Sequence, residues 1–181
     1  MSIRKILLLA FAVVVVAMPI GALAAPPGPD GYFRTGEATQ TANHWPFTID
    51  VFSIAHDVKQ LPTAKTRQAM IEVEVDKRFV MRMLRDVDAD KLRSGLRDGY
   101  KRNGYSDSAR IDRFLAGLAG TLPKGKAMWI TYDAGAMQTR LVVDGGASVT
   151  VEGVPFMRAT WSIWFGKSKP ADVGDALVSQ L

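Results

Sequence analysis

The chain has 181 residues, 48% hydrophobic and 23% charged, with 23 Lys/Arg against 18 Asp/Glu and a formal net charge of +5. That balance excludes a disordered chain and suits one domain with an ordinary core. Cysteine is absent, which excludes disulfides, thiol catalysis and thiolate metal sites, so stability has to come from packing.

Arg4 and Lys5 are followed by the uncharged run ILLLAFAVVVVAMPIGALAA, in which Ala22 and Ala24 flank Leu23. Basic, apolar and A-x-A regions in that order predict a signal peptide over residues 1–24, cleaved to leave Ala25 first, and a periplasmic or secreted protein. The competing reading is an uncleaved anchor, since Ile6 to Ala25 is long enough to span a bilayer; Pro19 and Gly21 oppose a continuous helix there. Cleavage removes two bases and no acids, leaving +3, a weak signal for nucleic acid, and none is expected as a partner. Residues 25–31, rich in proline and glycine, predict a linker, and residues 32–181 the folded domain.

Phe47 to Val51 alternates apolar and polar, as a strand does, and so does IEVEVD from Ile71 to Asp76. FVMRMLRDV fits either period. As a strand it aligns Phe79, Met81, Met83, Arg85 and Val87 on one face. Asp88 then predicts an N-cap for a helix with Leu92, Leu96 and Tyr100 inward, where Gly95 and Gly99 allow close approach. Ser106 or Ser108 caps a second helix with the stripe Ile111, Phe114, Leu115 and Leu118, stopped at Gly120. Strands follow at Met128–Asp133, Thr139–Val143 and Ser148–Glu152, the last two joined by the turn Asp144-Gly145-Gly146.

GVPFMRATWSIWFG, from Gly153 to Gly166, is apolar nearly all round. Pro155 suits the first helical position after Gly153 and Gly166 the end, giving about 12 helical residues, too few to cross a bilayer. A short helix of that kind is a buried one, with Trp161 and Trp164 filling the core or, in the alternative, lining a cleft. Pro170 opens a last helix with Val173, Ala176, Leu177 and Leu181 inward. Strands, helices, strands, helices in that order predict an α+β fold with helices packed on an antiparallel sheet.

FMRATWSIWFG, RMLRDVDADKL, and RTGEATQ leading to IDVFSIAHDV, resemble the secreted bacterial branch of the chalcone isomerase-like family, in the expected order over nearly all of the domain. The resemblance implies an open-faced β-sandwich: an antiparallel sheet, a layer of helices, and a cleft between them. In the plant enzymes of that family the cleft closes a chalcone to a flavanone; other plant members hold fatty acids without catalysis. Both activities lean on an arginine, and its position here falls on Gln40. A neutral amide donates a hydrogen bond but cannot neutralise a phenolate, enolate or carboxylate. The family's strand threonine corresponds to Thr48, three before Val51 instead of four, and so on the opposite face unless a bulge intervenes. Its catalytic tyrosine and asparagine fall near Leu92 and Gly99, with Tyr100 about 100° round the helix. Chalcone cyclisation is therefore not expected.

Of other chemistry there is little. His44 and His56 lie twelve residues apart with Asp50 and Asp57 nearby, which matches no tight metal motif; they are expected at the surface or in turns, with no metal. No G-x-S-x-G and no glycine-rich phosphate loop is present, so no cofactor is expected. From Lys77 to Arg113 eleven Lys/Arg face six Asp, and Arg93, Arg97 and Lys101 share a helical face; this is a solvated face or a patch for an anionic membrane surface. Arg85, at the end of a Phe79-Met81-Met83 face, has two readings. It grips a ligand carboxylate at the rim of an apolar wall, or it pairs with Asp86, Asp88 or another acid to order the strand-to-helix turn. The leading functional reading is a non-catalytic exported binder of a small apolar or amphipathic molecule such as a fatty acid, with Gln40, Thr48, Met81, Met83, Arg85 and Tyr100 as candidate contacts. An isomerase or intramolecular lyase on an enone, and a structural or partner-binding envelope protein, are the alternatives.

Overall fold

The computed structural model describes residues 26–44 and 47–181, so the expected signal peptide and its junction at Ala25 lie outside the described residues. Eight strands and five helices follow in the order β1 (Phe33–His44), β2 (Phe47–Val58), α1 (Arg67–Glu72), β3 (Lys77–Met83), β4 (Val87–Asp88), α2 (Ala89–Arg102), α3 (Ser108–Leu115), β5 (Thr121–Leu122), β6 (Ala127–Asp133), β7 (Gln138–Val143), β8 (Ser148–Glu152), α4 (Val154–Phe165) and α5 (Val173–Ala176). Six strands form one antiparallel sheet in the order β1-β2-β3-β6-β7-β8, and β4 pairs with β5 in a small separate ribbon. The sheet is an open one. The α+β architecture is the expected one.

Alternation along β3 sends Lys77, Phe79, Met81 and Met83 to the interior and Arg78 and Arg82 outward. On the outward face, β1 Arg34, β2 Asp57 and β3 Arg78 lie in one cross-strand row. Asp57, only 3% exposed, accepts from both arginines, and Arg78 reaches on to Asp30 at 2.6 Å. The segment from Pro26 to Gly31, expected as a linker, is thereby tied to β3 across the outward face of the sheet.

The helix from Val154 to Phe165 is buried as its composition demands: Trp161 is 0% exposed and Trp164 3%. It begins after Gly153, whose φ of 103° suits glycine, and carries Pro155 in its first turn. Phe79 meets Trp164 at 4.5 Å and Trp161 at 5.1 Å between ring centroids, so α4 is seated on the middle of the sheet by aromatic contacts. Asp88 caps α2 as expected, accepting from Asp90 N–H and Lys91 N–H. Gly99 lets α2 approach α4, since a Cβ there would stand 2.8 Å from Ile163 Cγ2.

Four expectations need correction. The Ile71–Asp76 alternation is not a strand: Thr66 caps α1, Met70 and Ile71 are buried, and the chain turns extended only at Val73. A side chain from the start of β3 closes that helix, for buried Lys77 Nζ donates to the carbonyls of Met70 (2.8 Å) and Val73 (2.7 Å), and more distantly to Ile71. The α3 cap is Asp107, between the two serines proposed, and the helix ends before Gly120 is reached. The last helix starts at Val173, three residues beyond Pro170. His56 is no surface histidine but fully buried; the His44 side chain lies outside the described residues.

His56 stands in a chain of hydrogen bonds. Trp161 Nε1–H donates to His56 Nε2 at 2.8 Å, which leaves Nδ1 to carry the proton towards Thr35 Oγ1 at 2.7 Å. The Thr35 hydroxyl in turn donates to Leu177 O at 2.7 Å. Burial holds the imidazole well below its ordinary value, with the nearby charges of Lys77 and Arg34 adding in the same direction. The ring is therefore neutral, and it joins α4, β2, β1 and the C-terminal segment.

Candidate functional site: a cleft between the first hairpin and α2

Where β3 ends at Met83, β1 and β2 run on past it, and α2 crosses over their extension. Between them lies a cleft of about 630 Å³, within the usual size for a small-molecule site. Its sheet side is built by a bulge. Gln40 pairs with Phe52 and Thr41 with Asp50, so Val51 is the extra residue and the alternation of β2 shifts there. Ile49, Val51 and Phe52 consequently all line the cleft, and so does Gln40. Opposite them stand Leu92, Gly95, Leu96 and Gly99 of α2, with Ile163 and Trp164 of α4 closing the back. Val87, held by the β4–β5 ribbon, completes the apolar floor.

The two helical glycines expected to allow close approach thus divide. Gly99 is filled by Ile163, whereas a Cβ on Gly95 would meet nothing within 4 Å. Gly95 keeps the α2 wall bare where the cleft runs along it.

Charged side chains stand at the rim: Arg85, Lys91, Arg102 and Lys169 against Asp86, Asp88 and Asp98. Asp86 and Asp88 accept from backbone amides, Asp86 from Lys124 N–H at 2.8 Å and Asp88 from Asp90 N–H and Lys91 N–H. Arg85 is exposed and pairs with neither of them. Of its two sequence readings, the pairing that would order the turn is not made. Arg85 also does not extend a strand face; β3 has ended, and Leu84 N–H bonds to Val51 O as the chain leaves the sheet.

The remaining candidates separate. Gln40 reaches the cleft, but its amide N–H groups donate to Lys169 O at 3.0 Å and Thr41 O at 3.2 Å. Met81 and Met83 are 0% and 1% exposed in the core beneath the cleft, not in its wall, because the strand that carries them is covered by α4. Tyr100 is fully buried too, its hydroxyl sharing a hydrogen bond with Thr160 Oγ1 at 2.8 Å; burial pushes its pKa up, so it is a neutral core phenol. Thr48 is exposed and off the cleft: the bulge does intervene, but the shifted alternation turns Ile49 inward and Thr48 away. Trp164 lines the cleft, as the alternative reading of the tryptophans had it, while Trp161 does not; Phe52, Leu92, Leu96 and Ile163 were missed as cleft residues. Their apolar character marked them as interior, and nothing in the periodicity says which interior residues border an opening. The α2 stripe is largely self-paired, with Arg93 bonded to Asp90 and Leu118 O, and Arg97 to Asp112 at 2.7 Å. Among the described residues no group of His, Asp and Glu is placed to hold a metal ion, and no helix is long and apolar enough to cross a membrane.

An open antiparallel sheet, a layer of helices on one face and a cleft between the two define an open-faced α+β sandwich. The chalcone isomerase-like family profile matches residues 44–177, and the chain belongs to that family. Its fold is similar to that of a solved Arabidopsis thaliana fatty-acid binding protein, with a TM-score of 0.65 at 14% identity, over 86% of this chain and 93% of that one. No curated protein matches the chain in sequence.

Proposed function

We propose that this protein is an exported, non-catalytic binder of a small amphipathic anion, such as a long-chain fatty acid, held in the cleft between the first hairpin and α2. One observation carries the reading: an apolar floor of Phe52, Leu92, Leu96, Ile163 and Trp164 opens beside Arg85, a guanidinium with no partner among the described residues. Burial of a chain contributes about 0.8 kcal/mol per methylene, and a free guanidinium can take a carboxylate with two parallel hydrogen bonds. That a protein of the same fold binds fatty acids agrees with such a ligand. Catalysis of chalcone closure has no support in the residues. Gln40 is neutral and its amide already donates to backbone carbonyls, while preorganised charge is usually the largest catalytic contribution.

Titration of a long-chain fatty acid and its matched alcohol, read by the fluorescence of Trp164 in the cleft wall, tests this. Wild type binds both, and Arg85→Ala weakens the acid by about tenfold or more while leaving the alcohol nearly unchanged. Equal losses would make Arg85 structural, and no binding by wild type would remove the lipid reading. For export, the intact mass of protein from its native envelope is expected to begin at Ala25.

A further inference from the structure

We infer that the cleft selects a two-headed ligand, an apolar chain bearing an anionic group at each end; this rests on the binding reading above. The cleft follows α2 from Lys91 to Arg102, eleven residues and therefore about 16 Å, roughly the span of an extended chain of twelve to fourteen carbons. Each end holds two cations. At the start of α2 stand Arg85 and Lys91. At its end stand Arg102 and Lys169, brought together because Arg102 Nη1 donates to Lys167 O at 3.2 Å and Gln40 Nε2 to Lys169 O at 3.0 Å.

The apolar residues lie between these ends: Phe52, Leu92, Leu96, Ile163 and Trp164, with bare Gly95 in the middle of the helical wall. A single-headed lipid needs an apolar terminus for its methyl end, and here that end would lie among a lysine and an arginine. The rim acids form no ion pair with these four cations among the described residues. The Asp86 and Asp88 carboxylates accept from backbone amides, and only Asp98, one turn before Arg102, stands on the wall without such a bond. A second carboxylate on the ligand gives Arg102 and Lys169 an anionic partner, where among the described residues Arg102 has only the Lys167 carbonyl.

Calorimetric titration of tetradecanedioic acid, tetradecanoic acid and tetradecan-1-ol into wild type and two double variants decides the matter. The variants are Arg85→Gln with Lys91→Gln, and Arg102→Gln with Lys169→Gln, each checked for an unchanged urea midpoint. The diacid is expected to bind about tenfold tighter than the monoacid, and either double variant to bring it down to the level of the monoacid. A monoacid that binds as tightly as the diacid would leave a one-headed site and overturn the inference while sparing the binding reading. If none of the three ligands binds wild type, the binding reading falls and this one with it.

Discussion

Trp161 and His56 meet at 2.8 Å, indole N–H to imidazole Nε2, in a region where neither is exposed. The bond fixes His56 as a neutral acceptor, and its pKa in the folded chain lies well below 6.5. Below about pH 6.5 the unfolded chain binds a proton that the folded chain refuses, so stability falls as pH is lowered, by at most about 1.4 kcal/mol per unit from this group. Urea midpoints at about pH 7 and 5.5 are expected to show that loss in wild type and a smaller one in His56→Gln. Equal slopes would mean that His56 takes up its proton without disturbing the core.

Truncating the donor is more severe. Trp161→Ala is expected to cost about 3–5 kcal/mol, the usual loss for a large core aromatic. Trp161→Phe keeps most of the volume but leaves His56 Nε2 without its donor, for about 1–3 kcal/mol. Denaturant melts distinguish these. A loss under about 1 kcal/mol in the alanine variant would contradict the packing described.

Lys77 predicts the opposite end of the pH range. Burial pulls its ammonium down to about 7, with the Arg158 charge acting in the same direction. Between that value and about 10.4 the unfolded chain holds the proton and the folded one does not, so stability rises with pH through this window. The comparison is wild type with Lys77→Met at about pH 7.5 and 9.5: the rise belongs to wild type alone. A flat wild-type profile would mean that the α1 carbonyls hold the charged form against burial.

Gly95 and Gly99, one turn apart, should respond to alanine with opposite signs. Gly95→Ala meets open space and is expected to stabilise by about 0.5–1 kcal/mol through helix propensity alone. Gly99→Ala pushes on Ile163 and is expected to destabilise. Gly95→Phe should leave thermal stability intact yet close the cleft, abolishing titration by fatty acid; retained binding would move the ligand away from α2.

What was legible in the sequence followed from local rules. The α4 segment, the Asp88 cap and the strands from Met128 to Glu152 were set by composition, capping chemistry and alternation, which act within a few residues. The exceptions share a cause. Ile71 to Asp76 alternates like a strand, but the Lys77 side chain caps α1 and α1 packs against α4 with Met70 and Ile71 buried, neither of which periodicity registers. His56 reads as an exposed histidine until Trp161, 105 residues away, supplies its donor. For the site, Arg85 and Gln40 were found at the rim, whereas Met81 and Met83 share their strand with core residues and went the same way. The cleft's shape depends on a one-residue bulge at Val51, whose one trace in the sequence is the adjacent apolar pair Val51-Phe52, where the alternation of β2 shifts.

The interlocked rings beneath α4 and the cleft beside α2 have few residues in common, chiefly Trp164. Substitutions at Ile49, Gly95, Lys91 or Lys169 therefore act at a distance from Phe79, Trp161 and His56, where additivity is the rule. A lineage carrying this scaffold can change what it carries by drift along the rim, without first accumulating compensating changes in the aromatic interior.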